Sequence, residues 1–124
     1  MVRKICLDSD TIIGLLKNDD KTIAIIASLD ADFYITSITL FEIWTGRKDE
    51  ENISELLAWL DTLEFGKEEA LVSADLRRKL RKLGQEIDIR DLFIASICIK
   101  NELELFTHNK KHFERFKQFG LKLV

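Results

Sequence analysis

Four side chains with oxygen donors stand beside segments of the chain that are otherwise apolar. They are Asp8, Glu42, Asp91 and Asn109. Burying an unpaired carboxylate costs on the order of several kcal/mol, so acids in apolar stretches are normally paired, at a surface edge or bound to a cation. The set therefore suggests a site for a hard metal ion.

The chemistry of such a site follows from the donors. Mg²⁺ and Mn²⁺ prefer oxygen ligands, and Mg²⁺ usually keeps several waters while it binds one or two carboxylates and a substrate phosphate. An ion held in this way can activate a water and neutralise charge that grows on a phosphoryl group. The expected reaction is hydrolysis of a phosphodiester.

The elements that must position these residues alternate along the chain. Four apolar runs have the length of strands, namely Lys4–Asp8, Phe33–Thr36, Leu103–Thr107 and Leu121–Val124. The segments between them have helical spacing, and this alternation predicts an α/β fold with a mainly parallel sheet.

Helix bounds follow from capping residues and apolar stripes. The predicted helices run from Ser9 to Leu16 or Lys17, from Asp19 or Asp20 to Leu29, from Ser37 or Thr39 to Trp44, along a stripe from Ile53 to Leu60, from Lys67 to Leu83, and from Asp88 to Lys100. Leu63–Phe65 is a candidate for a minor strand.

This order of elements predicts where the four side chains lie. Asp8 ends the first strand, Glu42 lies on the helix after the second, and Asp91 is in the first turn of the last long helix. Asn109 follows the strand Leu103–Thr107. Ligands of parallel α/β sheets bind at the carboxyl ends of the strands, so the four are expected to meet at that edge.

Length and composition fit one domain over residues 1–124, of which 46% are hydrophobic and 33% charged. No apolar run approaches the roughly 20 residues that span a bilayer, and the first one is too short for a signal peptide. We therefore expect a cytoplasmic protein. Cys6 and Cys98 lie in apolar runs and are expected to be buried free thiols.

A net charge of −3 argues against a broad positive surface for nucleic acid, because phosphate binding of that kind needs clustered cations. Two local basic clusters exist, Arg77–Lys82 and Lys110–Lys117. Such clusters are usually solvated helix faces, and their other interpretation is that they guide RNA.

Four segments together are similar to the motifs of PIN domains, specifically those of VapC-type toxins. The segments are Leu7–Ile13, Ile38–Ile43, Asp91–Ser96 and Thr107–Phe113. The resemblance covers essentially the whole chain. It implies a three-layer α/β/α sandwich, an endoribonuclease that depends on Mg²⁺ or Mn²⁺, a homodimer, and inhibition by a VapB-type antitoxin.

The resemblance also implies roles for individual residues. Asp8, Glu42 and Asp91 match the catalytic acids that bind metal. Asn109 matches a fourth position that is often Asp, and its neutral amide leaves the number of metal ions open. Two hydroxyl groups are expected to assist, those of Thr107 and Ser9, although Ser9 equally fits an ordinary helix cap.

Each candidate also has a purely structural interpretation. Asp8 could cap the first helix, Glu42 could pair with Arg47 or Lys48, Asp91 could pair with Arg90 or another basic neighbour, and Asn109 could cap the helix Lys110–Phe116. Three further acids are interpreted as solvated or capping residues, Asp10, Asp75 and Asp88. Neither His108 nor His112 is needed by a metal mechanism.

Several apolar side chains on the early helices are candidates for dimer or antitoxin contacts, although core packing would explain most of them. They are Ile12, Leu15, Leu16, Ile25, Ile26 and Trp44. Trp44 and Trp59 fit a core, a dimer interface or an antitoxin groove better than a surface that stacks RNA bases.

Two other functions remain open. A PIN-like module with weak or no catalysis could bind RNA or protein. The run Asp8-Ser9-Asp10-Thr11 after a strand also resembles the nucleophile motif of haloacid-dehalogenase-type phosphatases, but Ile12 stands where that motif has Thr or Val.

Overall fold

The computed structural model of the protein describes residues 2–46 and 50–124. Its strands are β1 (Arg3–Leu7), β2 (Ala31–Thr36), β3 (Asp61–Leu63), β4 (Glu104–Phe106) and β5 (Lys122–Leu123). Its helices are α1 (Ser9–Leu16), α2 (Asp20–Ser28), α3 (Ser37–Thr45), α4 (Glu50–Trp59), α5 (Lys67–Lys82), α6 (Ile89–Lys100) and α7 (Lys110–Phe113), and a 3₁₀ helix covers Glu114–Phe119.

The strands form one sheet in the order β3-β2-β1-β4-β5. Every pair in it is parallel: β1 lies between β2 and β4, with Ile5 opposite Phe33 on one side and Cys6 opposite Leu105 on the other. The prediction of a mainly parallel α/β sheet is confirmed. Since β1 lies at the centre and the chain continues first to one side and then to the other, strand order reverses at β1.

Helices cover both faces of the sheet, because alternate residues of β1 feed two separate cores. Cys6 packs with the apolar sides of α5, α6 and the 3₁₀ helix, whereas Ile5 and Leu7 pack with those of α1, α3 and α4. Strands buried on both faces are typical of parallel sheets. The predicted three-layer α/β/α sandwich is therefore confirmed.

Several sequence-based bounds were wrong by one to three residues. The minor strand predicted over Leu63–Phe65 is β3, which ends at Leu63. The strand predicted from Phe33 is β2, which begins two residues earlier, at Ala31. Asp8 lies outside β1 and is itself the N-cap of α1, so the expectation that Ser9 caps this helix was wrong. The carboxylate of Asp8 accepts from the backbone N–H of Ser9, and such an acceptor defines a cap.

Burial separates the apolar contact candidates. Ile12 is fully buried in the core and offers no surface, so core packing, the alternative given for most of these side chains, applies to it. Trp44 and Trp59 are about half exposed, at 45% and 52%, which excludes a core role for either. Cys6 and Cys98 are buried free thiols, as predicted.

Among residues 2–46 and 50–124, no helix is both long enough and apolar enough to cross a membrane.

Candidate metal centre

Asp8 is fixed between the ends of β1 and β4. Its backbone N–H donates to the carbonyl oxygen of Phe106 over 3.0 Å, which extends the pairing of the two strands by one residue. One carboxylate oxygen, Oδ1, accepts from the N–H of Ser9 at 2.9 Å, and the other, Oδ2, accepts from the hydroxyl of Thr107 at 2.8 Å. The side chain therefore has one orientation, and it is only 7% exposed.

Burial raises the pKa of Asp8 to about 6, from an ordinary value of 3.8. Desolvation is the largest cause, and the negative charges of Asp10 and Glu42 act in the same direction. The hydrogen bond from Thr107 opposes the rise, because it stabilises the carboxylate form. The raised pKa of Asp8 is therefore the result of poor hydration together with the neighbouring negative charges.

Glu42 reaches the same region from α3. Thr36 begins this helix, since its hydroxyl accepts from the N–H of Thr39 at 3.1 Å. Thr39 and Ile43 face the interior and are buried, so Glu42 lies at the edge of the buried side, with its side chain 22% exposed. Burial raises the pKa of Glu42, and the charge of Asp91 adds to the rise.

Asp91 lies in the first turn of α6. This helix begins because the carboxylate of Asp88 accepts from the N–H of Arg90 at 2.8 Å. The side chain of Asp91 is 25% exposed, and burial followed by the charge of Asp88 raises its pKa. Nδ1 of His112 lies 3.6 Å from Oδ2 of Asp91.

Arg90 joins two acids at the rim of this cluster. Its guanidinium contacts Asp88 at 3.2 Å and Glu42 at 3.5 Å. The basic neighbour in contact with Asp91 is His112, and the charge of Arg90 also opposes the rise in the pKa of Asp91, so the structural interpretation of Asp91 is supported. The alternative pairing of Glu42 with Arg47 or Lys48 falls outside the described residues.

Thr107 links the acids to the loop after β4. Its hydroxyl lies 2.8 Å from Oδ2 of Asp8 and 3.3 Å from Oδ2 of Asp10, and it accepts from the N–H of Asn109 at 3.0 Å. The expectation that Thr107 lies close to the acids is confirmed, although its catalytic role stays a prediction.

Asp10 is the residue that sequence reasoning missed. Its carboxylate accepts from the backbone N–H of His108 at 3.2 Å, and its charge raises the pKa of both Asp8 and Glu42. The signal was available in the spacing Asp8-Ser9-Asp10, because the first turn of a helix that begins beside a sheet edge also lies at that edge.

His108 anchors the same loop to α2. Its Nε2 lies 3.1 Å from the hydroxyl of Thr22, which donates to Asp19 at 2.6 Å. Since Thr22 uses its proton for Asp19, the imidazole donates through Nε2. This contact gives His108 a structural role, and the expectation that it is not catalytic stays a prediction.

Asn109 is linked to the carboxylates through Thr107 and His112. It occupies the N-cap position of α7 without a capping bond from its side chain, and its Nδ2 lies 2.8 Å from Nδ1 of His112. The interpretation of Asn109 as the cap residue of this helix is confirmed for its position, although its side chain makes no capping hydrogen bond. Its part in a metal site stays a prediction, connected to Asp91 through His112.

The donor set fits a magnesium-like ion with part of its water shell. Within the described ranges, no three acidic, histidine or cysteine side chains are close enough to hold one ion directly. The charge of Glu42 nevertheless raises the pKa of Asp8, and the charge of Asp91 raises the pKa of Glu42. The pKa of Asp91 is raised as well. Mg²⁺ needs few direct carboxylates, and a cation here would relieve the repulsion.

The molecule is thus a parallel α/β domain with a cluster of acidic side chains at the carboxyl edge of its sheet, beside the central strand where strand order reverses. Known proteins are similar to it. Residues 5–118 match the PIN domain family. Ribonuclease VapC1 of Methanocaldococcus jannaschii is 37% identical over 92 residues, which are 72% of this chain and 68% of that protein.

Ribonuclease VapC3 of the same organism is 32% identical over 91 residues, covering 73% of this chain and 94% of that protein. The crystal structure of VapBC2 from Rickettsia felis bound to a DNA fragment from its promoter contains a similar chain. The TM-score is 0.83 with 27% identity, and the match covers 98% of this chain and 97% of that one. The protein belongs to the PIN domain family, as a VapC-type member.

Proposed function

We propose that the protein is a metal-dependent endoribonuclease and the toxin of a VapBC-type toxin–antitoxin module, acting in the cytoplasm as a single domain over residues 1–124. One observation carries the proposal: three carboxylates from separate parts of the chain lie at the carboxyl edge of the sheet, where the charge of Glu42 raises the pKa of Asp8 and the charge of Asp91 raises the pKa of Glu42. The names of its relatives support RNA as the substrate.

Asp8, Glu42 and Asp91 are the proposed ligands of Mg²⁺ or Mn²⁺. When bound, such an ion lowers the pKa of a water and neutralises charge on the phosphodiester. Asp8 is the most rigid of the three acids, because two hydrogen bonds and the strand pairing fix it. Glu42 and Asp91 lie on helices and are more accessible, so they can turn toward an incoming substrate.

The neighbouring residues hold this arrangement in place. Thr107 orients the carboxylate of Asp8 and ties it to Asp10, and Ser9 contributes its backbone N–H. Asn109 lies farther out, beside His112, where its amide is suited to hold a water or a ribose hydroxyl of the substrate.

An apolar groove between α3 and α4 is the proposed place for a protein partner, a VapB-type antitoxin or a second copy in a homodimer. Its volume is about 750 Å³, and its lining includes Leu40, Phe41, Trp44 and Leu57. Phe41 is 66% exposed. Exposed aromatic side chains around an apolar groove are typical of interaction sites, and the related VapBC2 structure contains both components.

The alternative is a PIN-like module that binds RNA or protein without cutting RNA. The exposed position of Asn109 and the net charge of −3 are compatible with it. A haloacid-dehalogenase-type phosphatase is less well supported, because the family match assigns the same Asp8 region to a different class of protein.

The test is cleavage of a mixture of structured RNAs by antitoxin-free protein, with Mg²⁺ or Mn²⁺ and with EDTA. Asp91→Asn is the informative variant, because it preserves size and helix position while it removes one charge. Asp75→Asn is the matched control, since Asp75 lies on the exposed side of α5 and pairs with Lys79 at 2.9 Å.

We expect cleavage that needs the ion, falls by more than about a hundredfold in Asp91→Asn and is unchanged in Asp75→Asn. Cleavage that is equally fast with EDTA, or in Asp91→Asn, would refute the metal mechanism. RNA binding without cleavage by a folded protein in either ion would support the binding module instead.

A further inference from the structure

Arg90, which precedes Asp91 on α6, contacts the carboxylate cluster through its guanidinium group. Nη1 lies 3.5 Å from Oε2 of Glu42, which comes from α3, 48 residues away in sequence. Nε and Nη2 donate to the carboxylate of Asp88 at 3.3 and 3.2 Å. A single guanidinium therefore lies between a proposed metal ligand and a capping residue of its own helix.

The two contacts differ in strength. Asp88 takes two hydrogen bonds from the guanidinium, and its position is fixed by the cap of α6. Glu42 takes one long hydrogen bond, from the end of a side chain that is 56% exposed. Nη1 of Arg90 can consequently leave Glu42 while Nε and Nη2 stay hydrogen-bonded to Asp88.

A divalent ion and this guanidinium would compete for the same carboxylate. Glu42 and Asp91 repel one another, and the guanidinium offsets part of that repulsion. A dication beside Glu42 would do so more strongly and would repel the guanidinium at the same time. Guanidinium has no lone pair with which to share a metal, so the two cations exclude each other.

We propose that Arg90 is the counter-ion of the metal-free site, and that it leaves Glu42 for a phosphate of the RNA backbone when a divalent ion binds. The inference rests on the proposed function, because it takes Glu42 as a metal ligand and RNA as the substrate. Arg90 is then a positioning residue whose partner changes between the free and the loaded protein.

A backbone phosphate is the natural second partner of the released side chain. Guanidinium groups bind phosphates through two parallel hydrogen bonds, a geometry that lysine does not reproduce. The guanidinium of Arg90 is exposed beside Glu42, so a phosphate next to the one being cut can reach it. A phosphate of the substrate would thus replace the carboxylate of Glu42 as the anionic partner of Arg90.

The first experiment measures binding of Mn²⁺ alone by calorimetry, without RNA. Arg90→Gln is compared with the wild type and with Lys100→Gln. Lys100 is a matched control, because it pairs with Glu68 at 3.4 Å at the far end of the same helix, roughly 15 Å from Arg90 along the axis. Thermal unfolding of each variant verifies the fold.

We expect Arg90→Gln to bind Mn²⁺ about threefold to tenfold more tightly than the wild type, because a competing cation is gone. Lys100→Gln should bind as the wild type does, and Arg90→Lys should as well, since lysine retains the charge. Equal or weaker binding by Arg90→Gln would overturn the inference.

The second experiment measures RNA cleavage at saturating Mn²⁺. Arg90→Gln should raise KM about tenfold and change kcat by less than about threefold, because the phosphate that Arg90 holds is already bound before the reaction, so its removal weakens substrate binding. Arg90→Lys should give an intermediate KM. The slope of log affinity against log salt should fall by about 1 in Arg90→Gln.

The outcomes separate this inference from the proposed function. A wild type that binds Mn²⁺ and cuts RNA, together with an Arg90→Gln variant identical to it in both experiments, would overturn the role of Arg90 alone. A wild type that neither binds Mn²⁺ nor cuts RNA would overturn both. Tighter Mn²⁺ binding with an unchanged KM would retain the counter-ion and refute the transfer to phosphate.

Discussion

Replacing Asp8 with asparagine should stabilise the protein while it removes activity. The folded protein holds this carboxylate at a pKa of about 6 against an ordinary value of 3.8. That gap corresponds to a cost of about 3 kcal/mol for keeping the side chain ionised at neutral pH. Asp8→Asn removes the charge and preserves the size of the side chain.

The hydrogen bonds around Asp8 can be retained in this variant. The amide oxygen can still accept from the N–H of Ser9, because asparagine is as good a helix cap as aspartate. The amide nitrogen can donate to the hydroxyl of Thr107, whose own proton then turns to Asp10, 3.3 Å away. The expected net gain is therefore smaller than the full cost, about 1–2 kcal/mol, or roughly 3–8 °C in Tm.

The pH dependence gives the sign of the effect. A raised pKa in the folded state means that ionisation opposes folding, so the wild type loses stability as the pH rises from 3.8 to about 6. The advantage of Asp8→Asn should accordingly be complete above pH 6 and disappear below pH 3.8. Saturating Mg²⁺ should stabilise the wild type more than the variant, since the proposed site holds the ion through this carboxylate.

Asp19→Asn is the matched control. Asp19 also caps a helix, α2, but hydrogen bonds from Thr22 lower its pKa. Its carboxylate therefore stabilises the folded protein above its ordinary pKa, and that contribution is lost as the pH falls through the lower folded value. Asp19→Asn should be less stable than the wild type at pH 7, opposite in sign to Asp8→Asn.

Urea unfolding of the wild type and both variants between pH 3.5 and 8, without metal, would measure these differences. An Asp8→Asn variant that is less stable than the wild type at pH 7.5 would refute the reasoning. That result would mean that the two hydrogen bonds of the Asp8 carboxylate outweigh its desolvation.

Three further changes have definite expected outcomes. Thr107→Val should lower the free energy of unfolding by about 1–3 kcal/mol in urea, because the N–H of Asn109 loses its acceptor, whereas Thr107→Ser should not. Gly14→Ala should fail to give the usual gain of about 1 kcal/mol for alanine in a helix, since its Cβ would lie 3.0 Å from the hydroxyl of Thr22; an increase in Tm would contradict this. Phe41→Ser should change stability by less than about 0.5 kcal/mol yet weaken binding of the antitoxin at least tenfold, and unchanged binding in a pull-down titration would exclude the groove as its site.

Local pattern was enough to predict most elements, because capping residues and apolar spacing are properties of neighbouring residues. Asp19 and Asp88 do cap α2 and α6 as proposed. The exact end of β1 was missed, because the strand-like run Lys4–Asp8 does not tell which residue leaves the ladder. The N–H of Asp8 still pairs with the carbonyl of Phe106, from a distant part of the sequence, while its carboxylate already caps α1.

The candidate site depends on strand order, and strand order is not visible in the sequence. Thr107 contacts Asp8 because β4 lies directly beside β1 on the side opposite β2. Parallel strands bring all their carboxyl ends to one edge, but only this order puts the loop after β4 next to the start of α1. Asp10 then becomes part of the cluster, because the first turn of α1 places its carboxylate against that loop. Its motif alone predicts a solvated or capping Asp10, whereas the reversal of strand order at β1 places Asp10 close enough to Asp8 and Glu42 to raise the pKa of both.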